Sequence, residues 1–293
     1  MSFFARTRPA LRVRLASPRD VEPVLAFLDG NPAENVFLSY LVRRDRFAQN
    51  DALRAWHLAV RHGEVRGVCL SASNVVPAAA DGDAARALAE ALGGLRTGTQ
   101  SLVGERTVVN AVWASVAPRS PRARLVRDEQ PVYALARGAP LAGDGRAERA
   151  PVLRLARGED LDLLVEAAAD MLREEIHDDP YARDPVGFRT QVWRLIQDQA
   201  IWVLEVDGRV VFKAHANVRT PLAVQVSGVY TLPAHRGRGY ARAGMAALAR
   251  RLFRDHPLVS LYVNRENAAA IGAYEAVGFT RAGTFKSIFF QNR

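Results

Sequence analysis

Val229-Tyr-Thr-Leu-Pro-Ala-His-Arg-Gly-Arg-Gly-Tyr-Ala-Arg-Ala-Gly-Met245 has the pattern of a β-strand that enters a glycine-rich turn and then a helix. The first backbone N–H groups of a helix have no intrahelical partner and lie at the positive end of the helix dipole, so they can bind phosphate oxygens. Gly237 and Gly239 leave room for that approach. Positive charge is added by Arg236, Arg238 and Arg242. The stretch therefore predicts a pyrophosphate site.

The spacing of these residues differs from two common phosphate-binding loops. A Walker loop ends in Gly-Lys-Ser/Thr, and a dinucleotide fingerprint reads Gly-x-Gly-x-x-Gly with an acidic residue further along. The observed Arg236-Gly-Arg-Gly-Tyr-Ala241 instead resembles the Arg/Gln-x-x-Gly-x-Gly/Ala signature of the GNAT acetyltransferase superfamily, whose loop holds the pyrophosphate of acetyl-CoA. Taken alone, so short a glycine motif fits an Arg/Gly-rich surface turn equally well.

A second segment downstream carries the same resemblance. Leu258-Val-Ser-Leu-Tyr-Val263 predicts a strand, and Asn264-Arg-Glu-Asn267 then caps a helix that ends at Gly278. This segment resembles the second GNAT signature: a strand, Asn-x-x-Ala, a tyrosine seven residues on, and Gly-Phe. The resemblance covers about residues 151–291, and it implies that Tyr274 protonates the departing thiolate. On its residues alone, Tyr274 could equally be a core residue with its hydroxyl at the rim.

The resemblance also implies how acetyl-CoA is held. The strand Gln225–Tyr230 should splay from the strand Leu258–Val263 and open a slot for the pantetheine arm, with the thioester carbonyl at a backbone N–H near Val229 or Tyr230. The expected acetyl-CoA contacts are Val229, Tyr230, Thr231, Arg236, Gly237, Arg238, Gly239, Tyr240, Ala241, Arg242, Asn267 and Tyr274.

The general base is the least defined part of the site. An amine must be neutral to attack, so a base is expected to act directly or through water. GNAT members often carry a glutamate on the strand before the phosphate loop, but this sequence has Gln225 and Ser227 there. The remaining candidates are Glu205, Glu175, His177 and His215, and we pair Glu205 with Tyr274 as the catalytic residues. Each candidate could also be an ordinary solvated strand or helix-end residue.

The two halves of the chain predict the same α+β plan, each a mostly antiparallel central sheet flanked by helices. Leu11-Arg-Val-Arg-Leu15 and Ser17-Pro-Arg-Asp20 parallel Val152-Leu-Arg-Leu155 and Arg157-Gly-Glu-Asp160. We expect a degenerate GNAT-like domain at 1–137, a linker at 138–150 and the acetyltransferase domain at 151–293. The N-terminal half has no Arg-x-x-Gly-x-Ala loop, so we expect it not to bind acetyl-CoA.

Two further elements are predicted from local pattern. The chain should end in a hairpin formed by Phe279–Arg281 and Thr284–Phe290, and the N-terminal half should end in two strands, Arg124–Arg127 and Val132–Leu135.

The composition of the chain argues against several classes of function. The 293 residues carry a net charge of +9, but almost all the positive charge is arginine scattered along the chain, which disfavours nucleic-acid binding. No apolar run is long enough to span a bilayer, so we expect a cytoplasmic protein without a membrane partner. The single cysteine, Cys69, cannot form an internal disulfide, and the six dispersed histidines predict no metal site. The sequence allows a homodimer.

Three functions from different classes remain open at this level. The first is an N-acyltransferase that moves acetyl from acetyl-CoA to an amine of a small molecule or protein by direct attack in a ternary complex. The second is a regulatory module that binds CoA or acyl-CoA with little or no turnover, because Gln225 and Ser227 leave no carboxylate on that strand. The third, with weak support, is an arginine-rich nucleic-acid-binding protein.

Overall fold

The computed structural model describes residues 11–48, 50, 51, 53–142 and 151–291. The chain forms two compact units: an N-terminal unit made of Met1–Gln130 with Thr284–Arg293, and a C-terminal unit made of Pro131–Gly283. Both units are mixed α and β, which confirms the predicted fold class. The boundaries at 137 and 151 stay predictions, and most of the proposed linker, 143–150, lies outside the described residues.

The described strands of the N-terminal unit pair mainly antiparallel. Its elements are β1 (Arg12–Leu15), α1 (Val21–Asp29), α2 (Pro32–Asp45), β2 (Ala55–Arg61), β3 (Glu64–Ser71), β4 (Asn74–Ala79), α3 (Gly82–Leu92), β5 (Ser101–Glu105), α4 (Arg106–Val116) and the first part of β6 (Ala123–Ala136). Strands β1 to β4 pair in sequence order, and β5 then pairs parallel to β4.

The C-terminal unit begins with a strand followed by helices. It contains β7 (Val152–Leu155), α5 (Leu161–Ile176), the short α6 (Pro180–Arg183), α7 (Pro185–Gln197), β8 (Ile201–Val206), β9 (Arg209–Arg219), β10 (Val224–Thr231), α8 (Tyr240–Leu252), β11 (Leu258–Tyr262) and α9 (Ala268–Val277). Strands β7 to β10 pair antiparallel, β11 lies parallel to β10, and residues 132–136 of β6 pair antiparallel with β11.

The predicted C-terminal hairpin is wrong. Residues 280–290 form one continuous strand, β12 (Thr280–Phe290), whose Phe285–Phe289 part pairs with β5. A tight hairpin needs a turn residue with positive φ, and Gly283 is not among the residues with positive φ. The chain therefore continues straight through the glycine.

The two strands predicted at 124–127 and 132–135 are likewise one strand, β6. Pro131 lies within this strand, although proline cannot donate to a ladder. Its carbonyl is still able to accept, and it takes the N–H of Val263 at 3.1 Å. The sequence pattern also missed α2, β4 and β5.

The core of the C-terminal unit holds α8 tightly against the sheet. Gly244 lies over Phe212 of β9, and a Cβ atom at that position would be 2.6 Å from the Phe212 ring. Phe212, Met245 and Leu248 are fully buried in the same cluster. Because so little space separates helix and sheet, the start of α8 has a fixed position at the end of β10.

Candidate active site

A slot opens between β10 and β11. The two strands are paired only at Val224 with Val259 and at Gln225 with Ser260, although β10 continues to Thr231 and β11 to Tyr262. Beyond these two pairs, β10 and β11 are not paired with each other. This is the predicted splay, and it leaves backbone groups available to an extended ligand.

A bulge changes the direction of β10 beside this slot. The register with β9 shifts on both sides of Ser227, between the pairs Gln225–Val218, Ser227–His215 and Tyr230–Lys213. Gly228 has a φ of +57°, and a Cβ atom there would lie 2.8 Å from Nδ1 of His215. Only glycine fits both the conformation and the space, and the bulge re-aims the peptide groups of the residues that follow.

The glycine-rich turn forms the start of α8. Gly237 and Gly239 have φ values of +75° and +80°, and an added Cβ atom at either would meet nothing within 4 Å. Gly239 is the N-cap residue, and the first backbone bond into the helix runs from the N–H of Ala243 to the Gly239 carbonyl. The preceding N–H groups therefore face an open, exposed surface at the positive end of a helix. This geometry suits a phosphate.

Arg236 links the glycine-rich turn to α5 and to the end of β10. Its guanidinium pairs with Glu174 of α5 at 2.9 Å, donates from Nε to the Thr231 carbonyl at 3.1 Å, and lies 5.0 Å from the centre of the Tyr230 ring. The Tyr230 hydroxyl donates to the same carboxylate at 2.9 Å. Arg238 and Arg242 are exposed. Phosphate binding by these arginines stays a prediction, and of the three Arg236 has the most contacts within the protein.

Tyr274 lies on α9, which begins where the sequence predicts. The Asn267 side chain caps this helix by accepting the Ala270 N–H at 3.0 Å. Tyr274 is only 5% exposed and packs between the rings of Tyr133 and Phe279, with centroids 6.4 and 6.1 Å away. Burial raises the pKa of Tyr274 well above its usual value, and the nearby charge of Glu175 raises it further. The phenol therefore stays protonated, as a proton donor must.

Glu205 is engaged elsewhere in the unit. Its Oε2 accepts the Nε of Arg154 at 2.7 Å, and Arg154 also pairs with Asp160 at 2.7 Å. The Glu205 carboxylate is therefore held by an arginine of β7. Its catalytic role stays a prediction that this geometry does not favour.

The two histidine candidates are in opposite environments. Burial, followed by the charge of Lys213, lowers the pKa of His215 to about 3, so its imidazole is neutral and a very weak base. His177 is exposed at the C-terminal end of α5, with a left-handed φ of 51°.

Glu175 is the candidate whose charge reaches the site. Its carboxylate acts electrostatically on both Tyr274 and Lys213 and raises the pKa of each. The side chain is exposed near the end of α5, so water and an incoming amine can reach it. Its exposure and its electrostatic effect on both groups make Glu175 a candidate for the base.

Lys213 is the site residue that sequence reasoning missed. It is fully buried on β9, and its Nζ donates to the Gly228 carbonyl at 3.1 Å. Burial lowers the pKa of Lys213 to about 8, against the opposing effect of Glu175. The available signal was a lysine inside the apolar strand Val210-Val-Phe-Lys-Ala-His215, in a chain whose other lysine is Lys286.

The N-terminal unit repeats the plan with its slot closed. Its parallel strands β4 and β5 pair at Asn74–Ser101 and Val75–Leu102, and they remain close further on, since a Cβ atom at Gly104 would lie 2.9 Å from the Pro77 carbonyl oxygen. The start of α3 is filled by the Asp81 carboxylate, which accepts the Ala84 N–H at 2.8 Å. An internal anion thus occupies the place that a phosphate would need.

Asp81 provides a test of this interpretation. Asp81→Ala should lower the stability of the protein by about 0.5–2 kcal/mol, because the N-cap bond and the pair with Arg66 are lost. It should not create a second CoA site. Urea unfolding and calorimetric titration with CoA measure the two effects, and Asp81→Asn, which can still cap the helix, is the matched control. A second saturable binding event in Asp81→Ala would contradict the closed slot.

The same local geometry occurs in both units and supports an internal repeat. Arg14 pairs with Asp20 at 2.6 Å, and Arg154 pairs with Asp160 at 2.7 Å, both across six residues. In each unit the same aspartate also accepts a backbone N–H three residues before it, at 2.8 Å from Ser17 and 2.7 Å from Arg157. The repeated network holds the first strand to the start of the first helix.

Metal sites and membrane spans concern the part of the chain that the structure describes. Within it, His, Cys, Asp and Glu side chains form no group of three or more that could hold a metal ion. None of the helices in this part of the chain has the length and apolar character needed to cross a membrane.

Comparison with family models decides the family of the C-terminal segment. Residues 165–279 match the model described as the acetyltransferase (GNAT) family. This segment belongs to the GNAT acetyltransferases. Residues 54–164 match a model described as a domain of unknown function, DUF4081. Searching the curated proteins found no match.

Solved structures agree with a GNAT fold repeated in one chain. A Drosophila protein is 15% identical, with a TM-score of 0.68 and coverage of 96% of this chain and 99% of its own. A GNAT-family acetyltransferase from Colwellia psychrerythraea is 12% identical, with a TM-score of 0.57 and coverage of 97% and 100%. A tandem GNAT protein from the clavulanic acid biosynthesis pathway is 13% identical, with a TM-score of 0.50 and coverage of 94% and 98%. At these identities the likeness concerns the fold.

Proposed function

We propose that the protein is an acyl-CoA-dependent N-acyltransferase, which moves acetyl from acetyl-CoA to an amine of a small molecule or a protein. The observation that carries the proposal is the slot between β10 and β11 together with the exposed helix start at Gly239. The family of residues 165–279 uses acetyl-CoA as donor. A cytoplasmic location and a homodimeric assembly stay predictions.

Acetyl-CoA would bind with its pyrophosphate on the N–H groups of the glycine-rich turn and its pantetheine arm in the slot. The arm would pair with the free edge of β10 as an added strand does. Val229, Tyr230 and Thr231 form that edge, and an N–H of the bulge would bind the thioester carbonyl. Such a donor stabilises the negative charge that develops on the carbonyl oxygen during attack.

The transfer would proceed by direct attack. A proton leaves the ammonium group of the acceptor to Glu175, directly or through water, and the neutral nitrogen attacks the thioester carbonyl carbon. The tetrahedral intermediate then breaks its C–S bond, and its nitrogen loses a second proton to water as the neutral amide forms. Tyr274 gives its phenolic proton to the leaving thiolate, so CoA departs as a thiol, and the phenolate regains a proton from solvent.

The acidic end of α5 supports an amine as acceptor. Glu174 and Glu175 lie there, followed by Asp178 and Asp179. Asp178 pairs with Arg183 and Asp179 with Arg173, and the Glu175 side chain is exposed. A negative surface attracts a cationic amine before it is deprotonated.

The decisive experiment combines binding and turnover in the full-length protein. Calorimetry should detect saturable binding of acetyl-CoA and CoA, and a thiol reagent should detect CoA release that depends on an added amine. Saturable binding without amine-dependent release, across small polyamines, amino sugars and peptide N-termini, would contradict transfer and favour a regulatory module.

Tyr274→Phe should lower kcat by about 10- to 100-fold, because general acid assistance to the leaving thiolate is lost. The ring and its packing against Tyr133 and Phe279 are kept, so binding of CoA should change little. Rates with acetyl-CoA at several pH values measure the loss. Tyr133→Phe, which removes a hydroxyl that donates to Glu275 at 2.6 Å, is the matched control. An equal loss in both variants would point to packing and contradict the acid role.

A further inference from the structure

Burial of the Lys213 ammonium group costs solvation free energy. An ammonium group without water loses much solvation, which is normally recovered through a close carboxylate partner. Lys286 has such a partner, since it pairs with Asp128 at 2.8 Å. Within the described residues, the polar contacts of Lys213 are instead the Gly228 carbonyl at 3.1 Å and the sulfur of Met171 at 3.8 Å. Stability alone does not explain a buried lysine that binds a single backbone carbonyl.

We infer that Lys213 is a positioning residue of the acyl transfer: by binding the Gly228 carbonyl it fixes the β10 bulge, so that the Val229 N–H is directed at the acyl carbonyl. The inference rests on the function proposed above.

The geometry of the peptide unit supports this role. In a trans peptide the C=O and the following N–H point in opposite directions. The Gly228 carbonyl points to Lys213, so the N–H of Val229 in the same peptide plane points away from it. The bond to Lys213 therefore selects the peptide orientation that turns this N–H away from the ammonium group.

A second observation shows that this peptide needs to be held. Gly228 has positive φ, and the ladder is out of register on both sides of Ser227, so β-sheet pairing does not fix the bulge. His215 packs against Gly228 from the same strand as Lys213, and its imidazole is neutral because burial lowers its pKa to about 3. Lys213 provides the directional bond, and His215 fills the space.

Charge on Lys213 should also matter for the reaction. A bond from an ammonium polarises the Gly228 peptide and makes the Val229 N–H a stronger donor. The groups facing Lys213 are Glu175 from α5, the Tyr230 ring of β10 at 6.0 Å, and His215 on its own strand. Burial lowers the pKa of Lys213 to about 8, so its charge is lost just above neutral pH. The rate should therefore fall on the alkaline side, near that pH.

The test compares Lys213→Met and Lys213→Arg, with Lys286→Met as the matched control on the chain's other lysine. Lys213→Met should lower kcat by about 30- to 100-fold, somewhat less than the loss of a complete oxyanion donor. The Kd for CoA should stay within about threefold, because the glycine-rich turn is untouched, and the KM for acetyl-CoA should rise by no more than about fivefold, the value of one hydrogen bond. The alkaline limb near pH 8 should disappear, and Lys213→Arg should restore part of kcat. A kcat within threefold of wild type, or a loss of CoA binding as large as the loss of kcat, would overturn the inference.

A second readout does not need turnover. The Val229 N–H contacts the acyl carbonyl, which CoA lacks, so the wild type should bind acetyl-CoA more tightly than CoA by about fivefold, the value of one hydrogen bond. In Lys213→Met this ratio should fall to about one. The wild type could prefer acetyl-CoA, lose this preference in Lys213→Met, and yet show no transfer activity. That result would defeat the proposed function and keep the positioning role. An unchanged ratio in the variant would overturn the positioning role, whatever the activity.

Discussion

Gly239→Trp is expected to abolish measurable binding of CoA and acetyl-CoA, raising Kd by more than about 100-fold because several charge-assisted phosphate bonds are lost together. Gly239 is the N-cap of α8, and an indole at that position would cover the N–H groups that a pyrophosphate needs. The Cβ atom itself meets nothing within 4 Å, so the variant should fold. Isothermal titration calorimetry at constant ionic strength measures the change.

Gly63→Trp is the matched control for this experiment. Gly63 has a φ of +84° in the turn between β2 and β3, and it also has open space around an added Cβ atom. The strain of a left-handed tryptophan, roughly 1–2 kcal/mol, is therefore common to both variants. Gly63→Trp should bind CoA like the wild type. If Gly239→Trp also binds normally while folded, the glycine-rich turn is not the phosphate site, and the acyl-CoA assignment fails.

The parts of the site that could be predicted from the sequence depend on local rules. Glycines at 237 and 239 indicated the turn because few other residues accept their conformation, and Asn267 indicated the start of α9 because its side chain can cap a helix. The splay of β10 from β11 followed from the family resemblance and is confirmed by their short pairing. These features need little knowledge of distant residues.

The other parts depend on partners far away in the chain. In the sequence, Lys213 is a single charged residue in an apolar strand. Its bond to Gly228 depends on the bulge in the neighbouring strand, β10. Glu205 was favoured from its place in the sequence, but Arg154 lies beside it on β7. The error at Gly283 has a similar origin, since β12 runs unbroken through this glycine and pairs with β5 only from Phe285 onward.

Glu175→Gln is expected to lower kcat/KM by about 100- to 10,000-fold at neutral pH, the range for loss of a general base. The amide has nearly the same shape but cannot take a proton from the attacking ammonium. As the pH rises, a larger fraction of the acceptor amine is already neutral and needs no base. The loss of kcat/KM in Glu175→Gln relative to the wild type should therefore shrink toward alkaline pH. Initial rates of CoA release across the pH range, at saturating acetyl-CoA, measure both the size of the effect and its pH dependence.

The competing assignment is tested in the same assay with Glu205→Gln. Loss of the Glu205 carboxylate leaves Arg154 paired with Asp160, so we expect a modest effect on stability and a rate within about threefold of the wild type, as for most changes outside the reacting groups. Glu166→Gln, at an exposed position on the same helix as Glu175, controls for a change of charge on α5. A large loss in Glu205→Gln with near-normal Glu175→Gln would move the base to β8. The amine would then have to approach from the side of Arg154, and the acidic end of α5 would no longer define the acceptor pocket.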